Sequence, residues 1–181
     1  QRCLEQAVEP SFNAITIDGD TSTNDACVLM ATGGSGLVVG GADSAEGRAL
    51  FDAVREVCLA LARAIVKDGE GATKLVEIRV EEAADRAEAR AVAYTIAHSP
   101  LVKTALFASD PNWGRILAAV GRAGLRDLDI RGVRIWLDDA QIVRDGGRDP
   151  GYTEAAGKAV VARPEFTIRV ALGRGNAATR L

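Results

Sequence analysis

Hydrophobic positions follow two different periods along this chain, which predicts helices and strands in alternation. The longest helical pattern begins at Asp43, where Asp43 and Glu46 fit a capping box, and it ends at Lys67 or Asp68. Its apolar residues share one face of the helix: Leu50, Val54, Val57, Cys58, Leu61 and Ile65. Such a continuous face predicts that this helix packs on a sheet.

Shorter patterns predict the remaining elements. Helical spacing predicts helices over residues 1–8, 84–98 and 152–162. Apolar alternation predicts strands over residues 12–17, 74–80, 133–137, 140–143 and 166–172. A continuous apolar run predicts another strand over residues 26–31, paired with residues 12–17, and a glycine-rich turn follows over residues 33–41. The predicted fold class is therefore α/β or α+β, with layered sheets and packed helices.

A polar junction between two apolar segments lies in the middle of the chain. Residues 101–108 are mostly apolar and short enough for a covered strand. Asp110 is expected to cap the next helix, with Pro111 at its first position. That helix has an apolar stripe of Ile116, Leu117, Ala119 and Val120. The simplest interpretation is a structural junction, with Trp113 in the core and Arg115 in an ion pair.

Composition limits the classes of protein that fit. The chain has 181 residues, of which 48% are hydrophobic and 26% charged, and its formal net charge is −3. These values fit one domain or one subunit, and they argue against a protein that coats nucleic acid or an anionic membrane. No apolar run approaches the length of a membrane span. The separated Cys3, Cys27 and Cys58 indicate reduced core thiols in a cytoplasmic protein, and the single histidine, His98, is expected to be structural.

The polar loop over residues 18–25 begins with Asp18-Gly19-Asp20, directly after a predicted strand. This opening is similar to the nucleophile motif of aspartate-dependent phosphatases, in which the first aspartate attacks phosphorus beside Mg²⁺ and the second is a general acid. The match is loose, because Ser22 stands where threonine or valine is usual. The simpler interpretation is a loop whose Thr21, Ser22, Thr23 and Asn24 satisfy local backbone groups.

A second acidic segment, Asp68-Gly69-Glu70-Gly71, joins the long helix to the next predicted strand. A glutamate just beyond a helix C-terminus faces the negative end of the helix dipole, at a cost of roughly 0.3–1 kcal/mol when no cation is near. The flanking glycines let another group approach closely. Glu70 is therefore a candidate for binding a cation, either a substrate ammonium or Lys74.

Three motifs of the chain together resemble the ornithine acetyltransferase family. They are Ser11-Phe-Asn-Ala-Ile-Thr-Ile-Asp-Gly-Asp-Thr-Ser-Thr-Asn-Asp25, Asp68-Gly-Glu-Gly-Ala-Thr-Lys74, and Ser99-Pro-Leu-Val-Lys-Thr-Ala followed by Ser109-Asp-Pro-Asn-Trp-Gly-Arg-Ile116. Their order and spacing match the C-terminal (β) chain of that family over essentially the whole sequence. The resemblance implies a fold similar to that of N-terminal-nucleophile aminopeptidases.

The resemblance also implies an activity. Members of the family cleave their own precursor before a threonine, which then carries the acetyl group from N-acetylornithine to glutamate in a ping-pong reaction of arginine biosynthesis. Some members also accept acetyl-coenzyme A as a substrate, and no cofactor is implied. Glu70 matches the family's acidic residue that holds the charged amine of the substrate. The threonine, the oxyanion-hole groups and a C-terminal asparagine have no counterpart here, so we expect a single β-chain unit truncated at both ends, with no catalytic residue of its own.

The expected partner is the α chain from the same precursor, in a heterotetramer of two α and two β chains; nucleic acid and membranes are not expected partners. The resemblance assigns no catalytic role to residues 18–25 or to the junction from Asp110 to Arg115, and we expect both to give structural support. The alternative is a non-catalytic assembly subunit or fragment. An aspartate-dependent phosphatase is a more distant alternative.

Overall fold

The computed structural model describes residues 1–181 and divides them into two compact units, Gln1–Glu70 and Gly71–Leu181. The first unit is helical, and the second is a mixed sheet with helices packed on it. The predicted α/β class, with helices packed on a sheet, is thereby confirmed. No helix in either unit combines the length and the apolar character that crossing a membrane requires.

The first unit is built around one long helix. α1 spans Arg2–Val8, a 3₁₀ turn spans Phe12–Ala14, and α2 spans Ala45–Lys67. α2 begins later than predicted because the hydroxyl of Ser44, and not Asp43, accepts the capping hydrogen bond from the helix, at 3.0 Å. α1 and the 3₁₀ turn pack on α2. The buried apolar residues of this unit are Ala7, Cys58 and Ala62.

The strand pair predicted in the first unit is not formed. Residues 12–17 form the 3₁₀ turn and irregular chain, and residues 26–31 have no regular structure. A strand satisfies its backbone groups only beside another strand, and the first unit contains none. For the same reason α2 packs on no sheet within its unit, so that prediction was wrong for the unit as observed. Four residues of its predicted apolar face are exposed: Leu50, Val57, Leu61 and Ile65.

The second unit contains a six-stranded sheet in the order β4-β3-β2-β5-β1-β6. Its strands are β1 Leu75–Ala83, β2 Arg134–Leu137, β3 Ala140–Arg144, β4 Gly147–Arg148, β5 Glu165–Ala171 and β6 Ala177–Arg180. β1 and β5 are parallel, and every other neighbouring pair is antiparallel. Alternation predicted β1, β2, β3 and β5. It missed β4 and β6 because neither contains a buried residue that marks a face.

Four helices complete the second unit: α3 Arg86–Ala97, α4 Pro100–Phe107, α5 Trp113–Gly121 and α6 Glu154–Val161. α3, α5 and α6 contact strands, whereas α4 packs on α3 and α5. The strands bury every second residue beneath them: Ile78, Val80, Ile135, Leu137, Ile168 and Val170. This alternation gives the second unit a closed hydrophobic core.

The strand predicted over residues 101–108 was wrong, because this segment is α4. The hydroxyl of Ser99 accepts a capping hydrogen bond, and Pro100 occupies the first helical turn. Val102 and Ala105 are buried at helical spacing. A short apolar run fits a strand or a buried helix equally well, and here the cap at its start decides for the helix.

Two helix starts also differ from the prediction. α5 begins at Trp113, where the side chain of Asn112 accepts a hydrogen bond from the N–H of Arg115 at 3.1 Å. Asp110 is therefore not the cap; its carboxylate instead accepts a hydrogen bond from the Asn112 amide at 2.9 Å and orients that cap. α6 begins after Thr153, whose hydroxyl caps it, rather than at residue 152.

The cysteines and the histidine are placed differently from one another. All three cysteines are free, but only Cys58 is buried, Cys3 is half-buried and Cys27 is exposed. The prediction of core thiols therefore holds for Cys58 and was wrong for Cys27. Burial raises the pKa of the Cys58 thiol. His98 is the C-cap residue of α3, and its ring lies 5.4 Å from that of Tyr94, as expected of a structural histidine.

Candidate functional site

The acidic turn after α2 is the main candidate site of the first unit. α2 ends at Lys67, and the N–H of Asp68 closes it by hydrogen bonds to the last helical turn. Gly69 follows in a tight place, because a Cβ there would lie 3.3 Å from Cγ2 of Ile17. Glu70 comes next and is exposed. The turn therefore presents a carboxylate immediately beyond a rigid helix end.

The Glu70 carboxylate is unpaired. It forms no hydrogen bond and no ion pair, so a structural ion pair does not explain its position. It also lies beyond the negative end of the α2 dipole, where the only basic residue of the last turn is Lys67. A carboxylate in this setting gains from an approaching cation, and a ligand ammonium supplies both the charge and hydrogen-bond donors.

The structure brings the two acidic segments of the first unit together. Ile17, which approaches Gly69, directly precedes Asp18. The loop of residues 18–25 therefore begins beside the turn that carries Glu70. The sequence contained no signal for this proximity, because the two segments are separated by the whole of α2.

The loop itself is held by local hydrogen bonds. Oδ1 of Asp18 accepts a hydrogen bond from the N–H of Asp20 at 2.8 Å, and Oγ of Ser22 accepts one from the N–H of Asp25 at 3.1 Å. Of the four residues predicted to satisfy backbone groups, Ser22 forms bonds of this kind, and Asp18 adds one that was not predicted. The strand that a phosphatase nucleophile motif requires before Asp18 is absent. No group of three or more histidine, cysteine, aspartate or glutamate side chains is placed to hold a metal ion.

The central polar junction is a joint between α4 and α5 in the second unit. Nη1 of Arg115 donates hydrogen bonds to the carbonyl of Leu101 at 2.9 Å and to Oγ1 of Thr104 at 3.0 Å. The predicted ion pair of Arg115 was therefore wrong; the guanidinium binds neutral acceptors of α4. Trp113 packs against the core, as predicted. Ser109 has a φ of 52°, the left-handed geometry that lets the chain reverse between the helices.

A narrow crevice lies beside this joint, and it has no interior space that would hold a water molecule. It is lined by Val102, Ala105, Leu106, Asp110, Pro111, Asn112, Ile116, Leu137 and Val161. Asp110 is its only charged group, and that carboxylate already accepts a hydrogen bond from Asn112. The joint therefore has the features of a structural element and carries no unpaired group suited to chemistry.

A polar group that the sequence gave no reason to single out lies near the joint. The hydroxyl of Tyr152 is buried and has no hydrogen-bond partner. It packs against Gly157, beside Pro111: a Cβ added at Gly157 would lie 2.1 Å from the Tyr152 oxygen and 2.8 Å from Cβ of Pro111. Burial raises the pKa of Tyr152, and the nearby Glu154 carboxylate raises it further.

A comparison with known protein families identifies the family of this chain. The ArgJ family model matches residues 1–181, which is the whole chain. The chain belongs to the ArgJ family. The resemblance carried by the three motifs is therefore confirmed.

Curated relatives of this ArgJ-family chain match over its full length. The arginine biosynthesis bifunctional protein ArgJ of Methylococcus capsulatus is 63% identical over 181 residues, and that of Pseudomonas fluorescens is 54% identical over 179 residues. The alignments cover 100% and 97% of this chain but 44% of each relative. The chain therefore spans less than half the length of the curated relatives it matches.

A solved structure agrees with the fold. The crystal structure of the arginine biosynthesis bifunctional protein ArgJ from Bacillus halodurans matches with a TM-score of 0.90 at 35% sequence identity. The match covers 99% of this chain and 84% of the crystallised chain. Since the same chain covers only 44% of the curated relatives, the crystallised chain is much shorter than those relatives.

Proposed function

We propose that this ArgJ-family chain is part of a glutamate N-acetyltransferase that moves an acetyl group from N-acetylornithine to glutamate in arginine biosynthesis. The match of the ArgJ family to all 181 residues is the observation that carries this proposal. The names of the curated relatives place those proteins in arginine biosynthesis with two functions. Acetyl-coenzyme A as a second acetyl donor belongs to the same proposal, and no cofactor is required.

Glu70 is the residue of this chain to which we assign a substrate contact. Its carboxylate is exposed and unpaired, and the residue directly follows Gly69 in the turn after α2. An ammonium group of the substrate satisfies it by charge and by hydrogen bonding. The neighbouring loop that begins at Asp18 adds negative charge to the same side of the unit, which favours a cationic ligand.

The proposed chemistry uses a threonine that lies outside these 181 residues. Its hydroxyl attacks the carbonyl carbon of the acetyl group, and an amine or a bound water takes the proton. The amide C–N bond breaks, ornithine leaves with a proton on its nitrogen, and an acetyl ester of threonine remains. The amine of glutamate then attacks this ester, forming N-acetylglutamate and restoring the hydroxyl. Glu70 takes no part in bond making; it orients the substrate.

We also propose that the chain is the β chain of a self-cleaved precursor. Its share of the curated relatives, set against its 84% share of the crystallised chain, supports a protein that exists in two pieces. The partner is then the α chain of the same precursor, and two such pairs form a heterotetramer in the cytoplasm. The loop of residues 18–25 and the joint at Asp110–Arg115 serve as structural support.

The test uses the full-length protein, including the cleavage site. Glu70→Gln removes the charge and keeps the shape, so we expect the KM for N-acetylornithine to rise about 10- to 100-fold, since a hydrogen bond to a charged group contributes about 1.5–3 kcal/mol. We expect a smaller change in kcat. Asp68→Asn is the matched control, because it removes the same charge two residues away and leaves the backbone cap of α2 intact.

Two results would contradict the proposal at different levels. An unchanged KM in Glu70→Gln would remove Glu70 from the substrate site while leaving the activity in place. A full-length protein that cleaves itself but transfers no acetyl group from N-acetylornithine to glutamate would instead support the non-catalytic assembly subunit.

A further inference from the structure

The sheet of the second unit carries three arginines side by side on the face that points away from its core. Arg79 of β1 pairs in register with Arg169 of β5 on one side and with Arg180 of β6 on the other. Residues paired in register point to the same face of a sheet. Their strand neighbours Ile78 and Ile168 are buried, so the arginines lie on the opposite face. This set of three is named here the arginine row.

The protein satisfies few of the hydrogen-bond donors in the arginine row. Nη2 of Arg79 lies 2.6 Å from Oε1 of Glu77, in the only hydrogen bond that any of the three guanidinium groups forms. Nη1 of Arg169 lies 3.7 Å from Oε2 of Glu81, which is beyond hydrogen-bond distance. Arg180 is exposed, and its guanidinium has neither an ion pair nor a hydrogen bond. Since each guanidinium has five N–H donors, most donors of the row lack an acceptor.

The fold itself does not require three like charges side by side. Like charges on directly opposite strand positions destabilise the pairing of the strands. β6 is an edge strand, where a charged side chain deters unwanted pairing, but an acidic residue at position 180 would meet that need and also pair with Arg79. The chain as a whole has a formal net charge of −3, so its composition does not explain a local row of cations.

An aromatic ring holds one end of the arginine row. Trp136 of β2 pairs in register with Arg169, so its indole lies beside the row on the same face. Cζ of Arg169 lies 3.9 Å from the centre of the indole ring, which attracts the cation. The N–H donors of a guanidinium lie in its own plane and stay available to an anion. Arg134 lies on the other strand position beside Trp136, but Glu82 already pairs with it.

The chemistry and the length of the arginine row indicate the class of ligand. Arginine suits phosphate oxygens well, because its fork of donors can bind two oxygens at once. Neighbouring strands lie about 4.8 Å apart, so the row is about 10 Å long. A single small anion contacts only part of that length, whereas two linked phosphate groups reach along it. An apolar protein surface does not fit the row, because it would bury unpaired charges.

We infer that the arginine row binds a small ligand that contains a diphosphate group. Inorganic pyrophosphate is the simplest member of this class. Free nucleoside diphosphates and coenzyme A contain the same group, and the geometry specifies only what these ligands share. The row belongs to the second unit and Glu70 to the first, so this binding is independent of the substrate contact assigned to Glu70.

The first experiment titrates the self-cleaved, full-length protein with inorganic pyrophosphate by calorimetry. Arg180→Gln removes the unpaired guanidinium and is expected to raise the Kd for pyrophosphate about 10-fold or more, since charge-assisted hydrogen bonds account for such a factor. Arg122→Gln is the matched control, because Arg122 is also exposed and unpaired but lies at the end of α5. Its Kd is expected to stay within about twofold of that of the unchanged protein. Absence of pyrophosphate binding, or equal effects of the two substitutions, would overturn the inference.

The second experiment tests an effect of the opposite sign in the same protein. Glu77→Gln removes the carboxylate that competes for Arg79 and repels an anion, so the Kd for pyrophosphate is expected to fall about threefold or more. Asp129→Asn is the control, because it removes the same charge from an exposed ion pair with Arg131 outside the sheet. A Kd that is unchanged or higher in Glu77→Gln would contradict the proposed site.

Competition against bound pyrophosphate identifies the source of the diphosphate group. ADP or coenzyme A is expected to displace pyrophosphate, and the tighter of the two identifies the organic part of the ligand. Inorganic phosphate is expected to bind about 10-fold more weakly, because it reaches only part of the row. Equal affinities for phosphate and pyrophosphate would overturn the inference. A single-stranded oligonucleotide that binds at least about 100-fold more tightly than pyrophosphate would overturn it in favour of nucleic acid.

Pyrophosphate binding and acetyl transfer can fail separately. Pyrophosphate binding in a full-length protein that transfers no acetyl group would contradict the proposed function and leave the arginine row as a binding site. Acetyl transfer from N-acetylornithine to glutamate without any pyrophosphate binding would overturn the binding site and leave the proposed function in place.

Discussion

α2 and α3 have the same kind of amphipathic pattern, but only α3 buries its apolar face. Each begins at a side-chain cap, Ser44 for α2 and Asp85 for α3. α3 lies against β1 and β6 and fully buries its apolar face. The unit that contains α2 has no strand, and the apolar residues Leu50, Val57, Leu61 and Ile65 of α2 stay exposed. An amphipathic pattern thus specifies that a helix needs a partner surface, whereas only the tertiary structure decides whether that surface is present.

The largest expected effect comes from truncating one apolar side chain to alanine in each unit of the full-length protein. These two substitutions compare the buried core of the second unit with the apolar face of α2. Ile168 is fully buried on β5, so Ile168→Ala is expected to lower the free energy of unfolding by about 2–5 kcal/mol. Leu61 is 53% exposed in this chain. If another part of the full-length protein covers Leu61, Leu61→Ala is expected to lower the free energy of unfolding by about 2 kcal/mol or more.

Denaturant unfolding measures both changes. A cost below about 0.5 kcal/mol for Leu61→Ala would mean that this apolar face of α2 stays in solvent, since that is the range of ordinary surface substitutions. The contrast between the two helices would then be a permanent feature of the protein.

The density of packing in the second unit is tested by adding one methyl group. A Cβ at Gly157 would overlap the Tyr152 hydroxyl and crowd Pro111, so Gly157→Ala is expected to destabilise the protein by about 1–3 kcal/mol. Gly121→Ala is the matched control, because a Cβ at this helical glycine meets nothing within 4 Å. The control is expected to stabilise by about 0.4–1 kcal/mol.

Thermal unfolding of Gly157→Ala and Gly121→Ala separates steric crowding at Gly157 from the general effect of replacing a helical glycine with alanine. Adding Tyr152→Phe to Gly157→Ala removes the nearest overlapping atom and is expected to restore part of the loss. Equal stability of the two single variants would show that α6 shifts easily, and that the second unit is packed less tightly than its buried residues indicate.

The smallest expected effect concerns the Tyr152 hydroxyl, the one buried tyrosine oxygen without a partner. Tyr152→Phe removes this unsatisfied group and is expected to stabilise the protein by up to about 1 kcal/mol near pH 7. The raised pKa means that the folded state keeps the phenolic proton after the unfolded state has lost it. The stability of the unchanged protein therefore falls as the pH rises above about 10, and Tyr152→Phe lacks this contribution.

Urea unfolding from pH 7 to pH 11 measures that difference. The advantage of Tyr152→Phe is expected to grow above pH 10. A variant that is less stable than the unchanged protein at pH 7 would show that the hydroxyl has a hydrogen-bond partner, such as a buried water.

Much of the second unit could be predicted because its signals are local and repeated. Alternating apolar residues predicted β1 and β5, and helical spacing predicted α3. The segment from Pro100 to Phe107 was predicted wrongly because eight residues with an apolar majority satisfy both periods. The cap that resolves this ambiguity, Ser99, depends on one hydroxyl and is easily overlooked. β6 had no apolar face to detect, and its pairing with β1 makes it a strand.

In the candidate site, too, some features follow from the local sequence and others only from tertiary contacts. Glycines on both sides of an acid beyond a helix marked Glu70 as a candidate in the sequence. The contact that sets the loop of residues 18–25 beside it runs through Gly69 and Ile17, and no local pattern encodes it. The Tyr152 hydroxyl was equally invisible, because burial without a partner is a property of the surrounding packing.

The sequence by itself determined the long helices and the main strands of the second unit, the apolar faces of those elements, and the family that the motifs match. Helix capping and the spacing of apolar side chains depend on residues close together in the chain, so the sequence pattern alone reveals them. The tertiary structure alone decided whether those faces are covered, because burial depends on distant segments that arrive at the same place. In this protein the second unit buries its apolar faces in its own core. The first unit leaves the apolar face of α2 exposed.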